Sequence, residues 1–224
     1  MSTRPSAPIR LLAHARRHPS AVLLAVQLLG VFLYPVMEHT AAGRAAYGAF
    51  GMLVLALALW VVNRSPTVNW VAWLLAAPAA VLALVASMTP HPEWLVWAHL
   101  LQGLLYLYAA GGLILYMLRD HQVTRDEWFA AGAAFTLLAW AFAFAFSVCQ
   151  SWYPDSFGDG APLSWMELLY LSFATLSGVG LSDIAPRIAP ARSLVMLEMF
   201  AGLMYIAVVV SRLVGLAMVA RRSP

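Results

Sequence analysis

Residues 173–184 of the 224-residue chain read FATLSGVGLSDI. An apolar run ends at Leu176, and a glycine-rich segment, Ser177 to Asp183, follows it. The apolar helix predicted over 163–176 has about a dozen residues, whereas a membrane-spanning helix needs about 20. Irregular backbone is tolerated at membrane depth only where it is buried in protein or lines a water-filled pathway. The segment therefore predicts a re-entrant helix and loop that enter and leave a membrane on one side.

Local signals bound this short helix. Ser164, with Glu167 three residues later, predicts a capping box at its start. The preceding segment, 150–161, is rich in Pro, Asp and Gly, which is typical of an exposed turn. A half-helix that enters from outside points its C-terminal carbonyls, the negative end of the helix dipole, toward the membrane centre. We therefore expect this helix end to favour cations.

The rest of the chain has the composition of a protein in lipid. It is 62% hydrophobic and 10% charged, which is more apolar surface than one soluble core of this size can bury. Six apolar stretches are long enough to cross a membrane: 21–37, 45–62, 68–88, 95–118, 127–149 and 193–219. We therefore expect an all-α membrane protein with six transmembrane helices and the re-entrant element between the fifth and the sixth.

The charges agree with a membrane location. All thirteen basic residues are Arg, and most lie at the ends of predicted spans. The excess of positive charge in cytoplasmic segments puts both termini in the cytoplasm. This distribution argues for membrane lipid and against nucleic acid as a partner. Residues 6–18 fit either an interfacial amphipathic helix or a frayed basic tail.

The segment 173–184 resembles the selectivity filter of potassium channels, whose pattern is T-x-T-T-V-G-Y-G-D. The matched positions include the post-filter proline, an arginine and the inner-helix hinge glycine of that family: Val179, Gly180, Asp183, Pro186, Arg192 and Gly202. The resemblance covers about 127–219 and implies a homotetramer in which four loops form one filter. It also implies that backbone carbonyls of Gly178, Val179 and Gly180 coordinate K⁺, with no other cofactor and no small-molecule substrate.

The resemblance divides the chain into parts. These are a cytoplasmic segment (1–20), a peripheral four-helix domain (21–118), a linker (119–127), a pore domain (128–219) and a cytoplasmic tail (220–224). The pore domain contains a pore helix (163–176), a filter (177–183) and an inner helix (193–219). The predicted filter residues are Ser177, Gly178, Val179, Gly180, Leu181 and Ser182, with Asp183 and Tyr170 as their support.

Three filter positions depart from the family. Gly178 replaces a threonine whose hydroxyl helps to form the innermost ion site. Leu181 replaces a tyrosine, so the phenolic hydrogen bond between filter and pore helix is lost. Ser182 replaces a glycine and would be strained if that position needs a positive φ. We therefore expect fewer or weaker K⁺ sites, with Na⁺ as a second permeant ion.

Other residues have predicted structural or gating roles. Asp183 is expected to hydrogen-bond the pore helix. Gly202 is the candidate gating hinge, and its replacement by Ala is expected to change open probability without changing ion preference. Arg212 and Val210 are candidates for an inner gate. Alternatively, Arg212 reaches the headgroups or pairs with an acidic residue near the linker: Asp120, Asp126 or Glu127.

Charged residues elsewhere suggest structure rather than voltage sensing. The fourth span, 95–118, contains no Arg or Lys, so strong voltage gating by that helix is not expected. Glu167 and Glu198 are expected near the outer membrane face, where Arg187 or Arg192 could pair with them.

Two other functions remain open at this level. A non-conducting channel relative, acting as a structural or regulatory membrane subunit, fits the altered filter. An intramembrane protease with Ser177 as nucleophile is a remote alternative, because it needs a histidine base and every histidine precedes the filter. Otherwise no enzymatic activity is expected. Abundant Ala and Arg without Lys suggest a bacterial plasma membrane.

Overall fold

The computed structural model of the protein describes residues 19–37, parts of 50–60, and 69–88, 92–119, 125–158 and 161–222. The predicted interfacial segment 6–18, most of the predicted second span 45–62 and most of the linker 119–127 lie outside the described residues.

The described chain is helical and contains no strand. Its elements are α1 (Pro19–Met37), α2 (Asn69–Met88), α3 (Pro92–Arg119), α4 (Arg125–Trp152), α5 (Trp165–Leu176), α6 (Ala189–Tyr205), a π-helix (Ile206–Val210) and α7 (Ser211–Arg222).

Among the described residues, four stretches are long and apolar enough to cross a membrane: Pro19–Val36, Glu93–Arg119, Asp126–Trp152 and Ala189–Gly215. The apolar part of α2, Trp70–Ala86, is shorter, and so is α5. The prediction of an all-α membrane protein is therefore confirmed.

Helix α4 lies at the centre of the bundle and packs against α1, α3, α5 and α6. In its apolar stretch 67% of the residues are buried, against 22–39% in the other three. Small residues let the neighbours approach: a side chain at Gly132 would collide with Leu24 of α1. On the same side, the Thr136 hydroxyl donates to Gln27 Oε1 at 2.7 Å. Helix α4 is therefore the central element against which α5 packs.

The last transmembrane stretch begins earlier than predicted and is not one uniform α-helix. Pro190 lies in its first turn, where a missing N–H costs nothing, so α6 begins at Ala189 rather than near 193. Five residues, Ile206–Val210, form the π-helix, and α7 continues to Arg222. The residues that α6 buries recur at helical spacing: Ala191, Val195, Glu198, Gly202 and Tyr205.

Candidate functional site

The site is built on α5, whose start follows the predicted capping box. The Glu167 backbone N–H donates to the Ser164 hydroxyl at 3.3 Å, and the Ser164 backbone N–H donates to the Glu167 carboxylate at 2.7 Å. These bonds satisfy two amides that a helix start leaves unpaired. The capping box is confirmed, and the 12-residue α5 begins at Trp165 rather than at 163.

The backbone turns sharply after α5. Ser177 ends the helix, and the next amide, that of Gly178, donates back to the Thr175 carbonyl at 3.1 Å. Gly178 and Gly180 have φ values of 72° and 65°, a region that side chains disfavour. The Gly180 amide also donates back, to the Ala174 carbonyl at 3.0 Å. Glycine at these two positions lets the loop fold onto the end of α5.

Two carbonyls of the loop accept hydrogen bonds. The Ser182 amide donates to the Gly180 carbonyl at 3.0 Å, which closes a three-residue turn around Leu181. The Tyr170 hydroxyl donates to the Leu181 carbonyl at 2.6 Å. By contrast, the carbonyls of Gly178 and Val179 accept no hydrogen bond within the described chain. Of the three predicted cation ligands, two therefore have free carbonyls, and the third, Gly180, has its carbonyl turned toward its own loop.

The Tyr170 contact compensates for a difference noted in the sequence. Leu181 has no phenol with which to anchor the loop to α5. Instead the phenol belongs to Tyr170 of α5, and the acceptor is the Leu181 carbonyl of the loop. The predicted supporting role of Tyr170 thus has a direct geometric basis.

The other two polar loop residues behave differently from the expectation. Ser182 does not have a positive φ, so the steric penalty considered for it does not arise. Its hydroxyl instead accepts from the Ile184 amide at 3.1 Å. Asp183 is exposed, and within the described chain its carboxylate makes no hydrogen bond with α5.

Gly202 of α6 lies against the last residue of α5. A Cβ atom at position 202 would collide with the carbonyl group and Cα of Leu176. The absence of a side chain therefore lets α6 pass directly behind the start of the loop. The sequence singled out Gly202 as a hinge, and the structure gives it a packing role at the base of the loop.

Glu198, one turn before Gly202, is fully buried. Its Oε1 contacts the hydroxyl of Ser172 on α5, and the same hydroxyl lies 2.8 Å from the Ala139 carbonyl of α4. The expected pairing of Glu198 with Arg192 or Arg187 is wrong, because Glu198 faces the bundle. The Glu167 side chain is likewise engaged by the capping box. Sequence reasoning missed Ser172. The signal for it was an acidic residue on the buried face of a spanning helix, which requires a polar partner.

The candidates for an inner gate lie around the π-helix. The Arg212 side chain donates from Nε to the Met117 carbonyl of α3 at 3.3 Å, while Val210 is 40% exposed. Immediately before the π-helix, the Tyr205 hydroxyl donates to the Ala131 carbonyl of α4 at 2.5 Å. The π-helix is therefore bounded by two tethers, one to α4 and one to α3.

The geometry does not assemble the serine protease site. His99, the histidine within the described residues, lies 3.0 Å from the Ser147 hydroxyl, through its Nδ1. The Ser177 hydroxyl instead donates to the Ala174 carbonyl at 3.3 Å. Ser177 therefore has no base within the described part of the chain.

Comparison with known proteins agrees with this arrangement. The sequence model of a family described as "Ion channel" matches residues 103–218, which is just over half of the chain and includes α4, α5, the loop and the last transmembrane stretch. No curated protein and no solved structure matches the chain. The chain belongs to the ion channel family.

Proposed function

We propose that four copies of this chain form a cation channel in which the loop 177–183 is the selectivity filter. One observation carries the proposal: α5 ends in a glycine loop whose Gly178 and Val179 carbonyls are free to bind a cation. Carbonyls can replace the hydration shell of an ion when several loops form a ring. A single chain supplies one loop, so closed symmetry is needed to complete the site.

The proposed membrane arrangement has six spans, with α5 and the loop re-entrant from the outer side. Helix α5 is too short to cross a bilayer and packs against α4 and α6. The helix order and the arginine distribution support cytoplasmic termini in a bacterial plasma membrane. Voltage gating is not part of the proposal, since the basic residue of α3 is Arg119 in its last turn.

The loop geometry supports weak discrimination between K⁺ and Na⁺. The Gly180 and Leu181 carbonyls are oriented by hydrogen bonds from Ser182 and Tyr170. A carbonyl held by such a bond is a poorer ligand for an ion in the pore. Two free carbonyls per subunit would leave fewer sites than a filter with every carbonyl free, so both ions are proposed to permeate.

A flux assay tests this proposal. The purified chain in liposomes is expected to pass K⁺ and Na⁺, with reversal potentials that differ little between the two ions. In Tyr170→Phe the Leu181 carbonyl loses a bond worth about 0.5–1.5 kcal/mol, and K⁺/Na⁺ preference is expected to change by about threefold to tenfold. Tyr153→Phe is the matched control, because Tyr153 is similarly exposed and its hydroxyl has no hydrogen bond within the described residues.

Strong K⁺ preference in the unmodified protein would contradict the selectivity proposal. An unchanged preference in Tyr170→Phe would contradict the role of Tyr170. The second candidate function is a non-conducting structural or regulatory subunit, which the hydrogen-bonded Gly180 and Leu181 carbonyls favour. A stable tetramer without cation flux in either ion would establish that alternative.

A further inference from the structure

A buried acidic side chain lies behind the proposed filter, away from the free carbonyls. Glu198 of α6 is 0% exposed, and it contacts Ser172, five residues before the loop begins. Its second oxygen, Oε2, is buried and has no hydrogen-bond partner among the described residues. A carboxylate in such surroundings would be an unpaired buried charge, which is strongly unfavourable.

The hydrogen atoms available at this contact specify its chemical form. Two oxygens lie close to the Ser172 hydroxyl, namely Glu198 Oε1 and the Ala139 carbonyl oxygen. The Ser172 hydroxyl has one hydrogen atom for these two oxygens. A proton on the buried carboxyl group supplies a second, so that each contact then has its own hydrogen atom. The arrangement that satisfies both contacts is Glu198 O–H donating to Ser172, whose own O–H donates to Ala139.

We propose that Glu198 is a positioning residue for the ion pathway, and that its protonated carboxyl group joins α6 to α5 and, through Ser172, to α4. This inference rests on the proposed channel function for its effect on ions. The contact itself does not depend on conduction. Loss of the proton leaves a buried negative charge, and the carboxylate and the Ala139 carbonyl oxygen then compete for the one hydrogen of the Ser172 hydroxyl.

The proton loss would act on the part of the molecule that carries the filter. Gly202 holds α6 against Leu176 one turn further along, so a shift of α6 at Glu198 is transmitted to the first residues of the loop. The expected consequence is a channel that loses conduction and stability in alkaline solution.

Other titratable groups on the elements packed around Glu198 make their hydrogen bonds elsewhere. On α4, Asp126 accepts from Ser20, Cys149 contacts Ser156, and Glu127 lies three turns from Ala139. On α5, the Glu167 carboxylate accepts from the Ser164 amide, and the Tyr170 hydroxyl donates to the Leu181 carbonyl. On α6, Arg192 donates to Pro186 and Tyr205 to Ala131. Within the described residues, no cation and no second acid contacts Glu198. A change of pH at this contact would therefore act on the Glu198 carboxyl group itself.

The test uses the full-length protein in detergent and in liposomes. The melting temperature of the unmodified protein is expected to fall by about 5 °C or more between about pH 7 and about pH 10. Glu198→Gln should keep its melting temperature over the same range, because an amide donates to Ser172 and carries no charge. Ion flux should likewise fall with rising pH in the unmodified protein and stay constant in Glu198→Gln. Glu167→Gln is the matched control on exposed α5 surface and should retain the pH dependence of the unmodified protein.

Infrared difference spectra give a second, independent reading. A band of a protonated carboxylic acid is expected at neutral pH in the unmodified protein and should be missing from Glu198→Gln. An unmodified protein without that band, or a Glu198→Gln variant with unchanged pH dependence, overturns the inference. If no variant conducts, the channel proposal fails, while the infrared band and melting temperatures still decide the state of Glu198. If Glu198→Gln does not fold, the band in the unmodified protein and its loss at high pH decide it.

Discussion

At the scale of single residues, the contact between Gly202 and Leu176 changes what a substitution should do. A hinge glycine would be replaceable by Ala with an effect on gating alone. However, the space that a methyl group needs at position 202 is occupied by the backbone of Leu176, the last residue of α5. Backbone atoms cannot rotate aside as the end of a flexible side chain can. The substitution must therefore move α6, α5 or both.

Gly202→Ala is expected to destabilise the protein by about 1–3 kcal/mol, the usual cost of overpacking a fitted contact. Because Leu176 adjoins the loop, the substitution is also expected to change K⁺/Na⁺ preference. The melting temperature in detergent and reversal potentials in liposomes measure the two effects.

Gly215→Ala provides the matched control, since a Cβ atom at position 215 meets nothing within 4 Å. That variant should keep its ion preference and be unchanged or slightly stabilised, because Ala favours helix by about 1 kcal/mol over Gly. Equal effects of the two substitutions would argue against the contact with Leu176 as the cause.

At the scale of elements, the π-helix is the feature of the last transmembrane stretch with a functional implication. Each hydrogen bond of a π-helix spans one residue more than in an α-helix, so a π-helical turn carries an extra residue, and such turns recur at functional sites. Here it lies between the tether of Tyr205 to α4 and that of Arg212 to α3. The extra residue sets the direction in which α7 presents its side chains, and therefore whether Arg212 can reach Met117.

Deletion of Val208 should convert the π-helix to α-helix and rotate the following residues by about 100°, one residue's share of a helical turn. Arg212 then loses the Met117 carbonyl, and flux is expected to change about tenfold or more, the equivalent of about 1.4 kcal/mol between open and closed states. Single-channel recording separates a change in open probability from a change in conductance.

Val208→Ala is the control for this deletion, since it trims the same side chain without altering the register. If the deletion and the substitution conduct alike, the π-helix has no part in gating. Size-exclusion chromatography of both variants confirms that the assembly is intact before flux is compared.

At the scale of the whole molecule, the single chain leaves a large apolar surface uncovered around the loop. Val179 and Leu181 are 70% and 72% exposed, although both lie in the proposed filter. The face of α6 opposite to Glu198 and Gly202 is also exposed, with these residues: Met196, Leu197, Met199, Phe200, Leu203 and Met204. Neighbouring copies of the chain can cover this face and complete a ring of loops.

Phe200→Asn is expected to reduce the tetramer fraction in detergent, because a 64% exposed aromatic side chain on this face would lose its packing at each of the symmetry-related contacts. Native mass spectrometry or cross-linking measures the distribution of oligomers.

Phe32→Asn serves as the control on α1, where the Phe32 side chain is 78% exposed. It should leave the oligomer distribution unchanged. A tetramer fraction that falls equally in both variants would place the subunit interface elsewhere.

The sequence alone determined the elements whose signals are local. The apolar lengths of the spans, the Ser164 capping box and the glycines that end α5 depend on residues close together in the chain, so they could be predicted. Tertiary structure alone decided which groups meet across helices: Tyr170 with Leu181, Glu198 with Ser172, and Gly202 with Leu176. The physical reason is that such contacts depend on how α4, α5 and α6 are rotated and spaced. A pattern of apolar residues specifies a buried face but not the atom opposite each position.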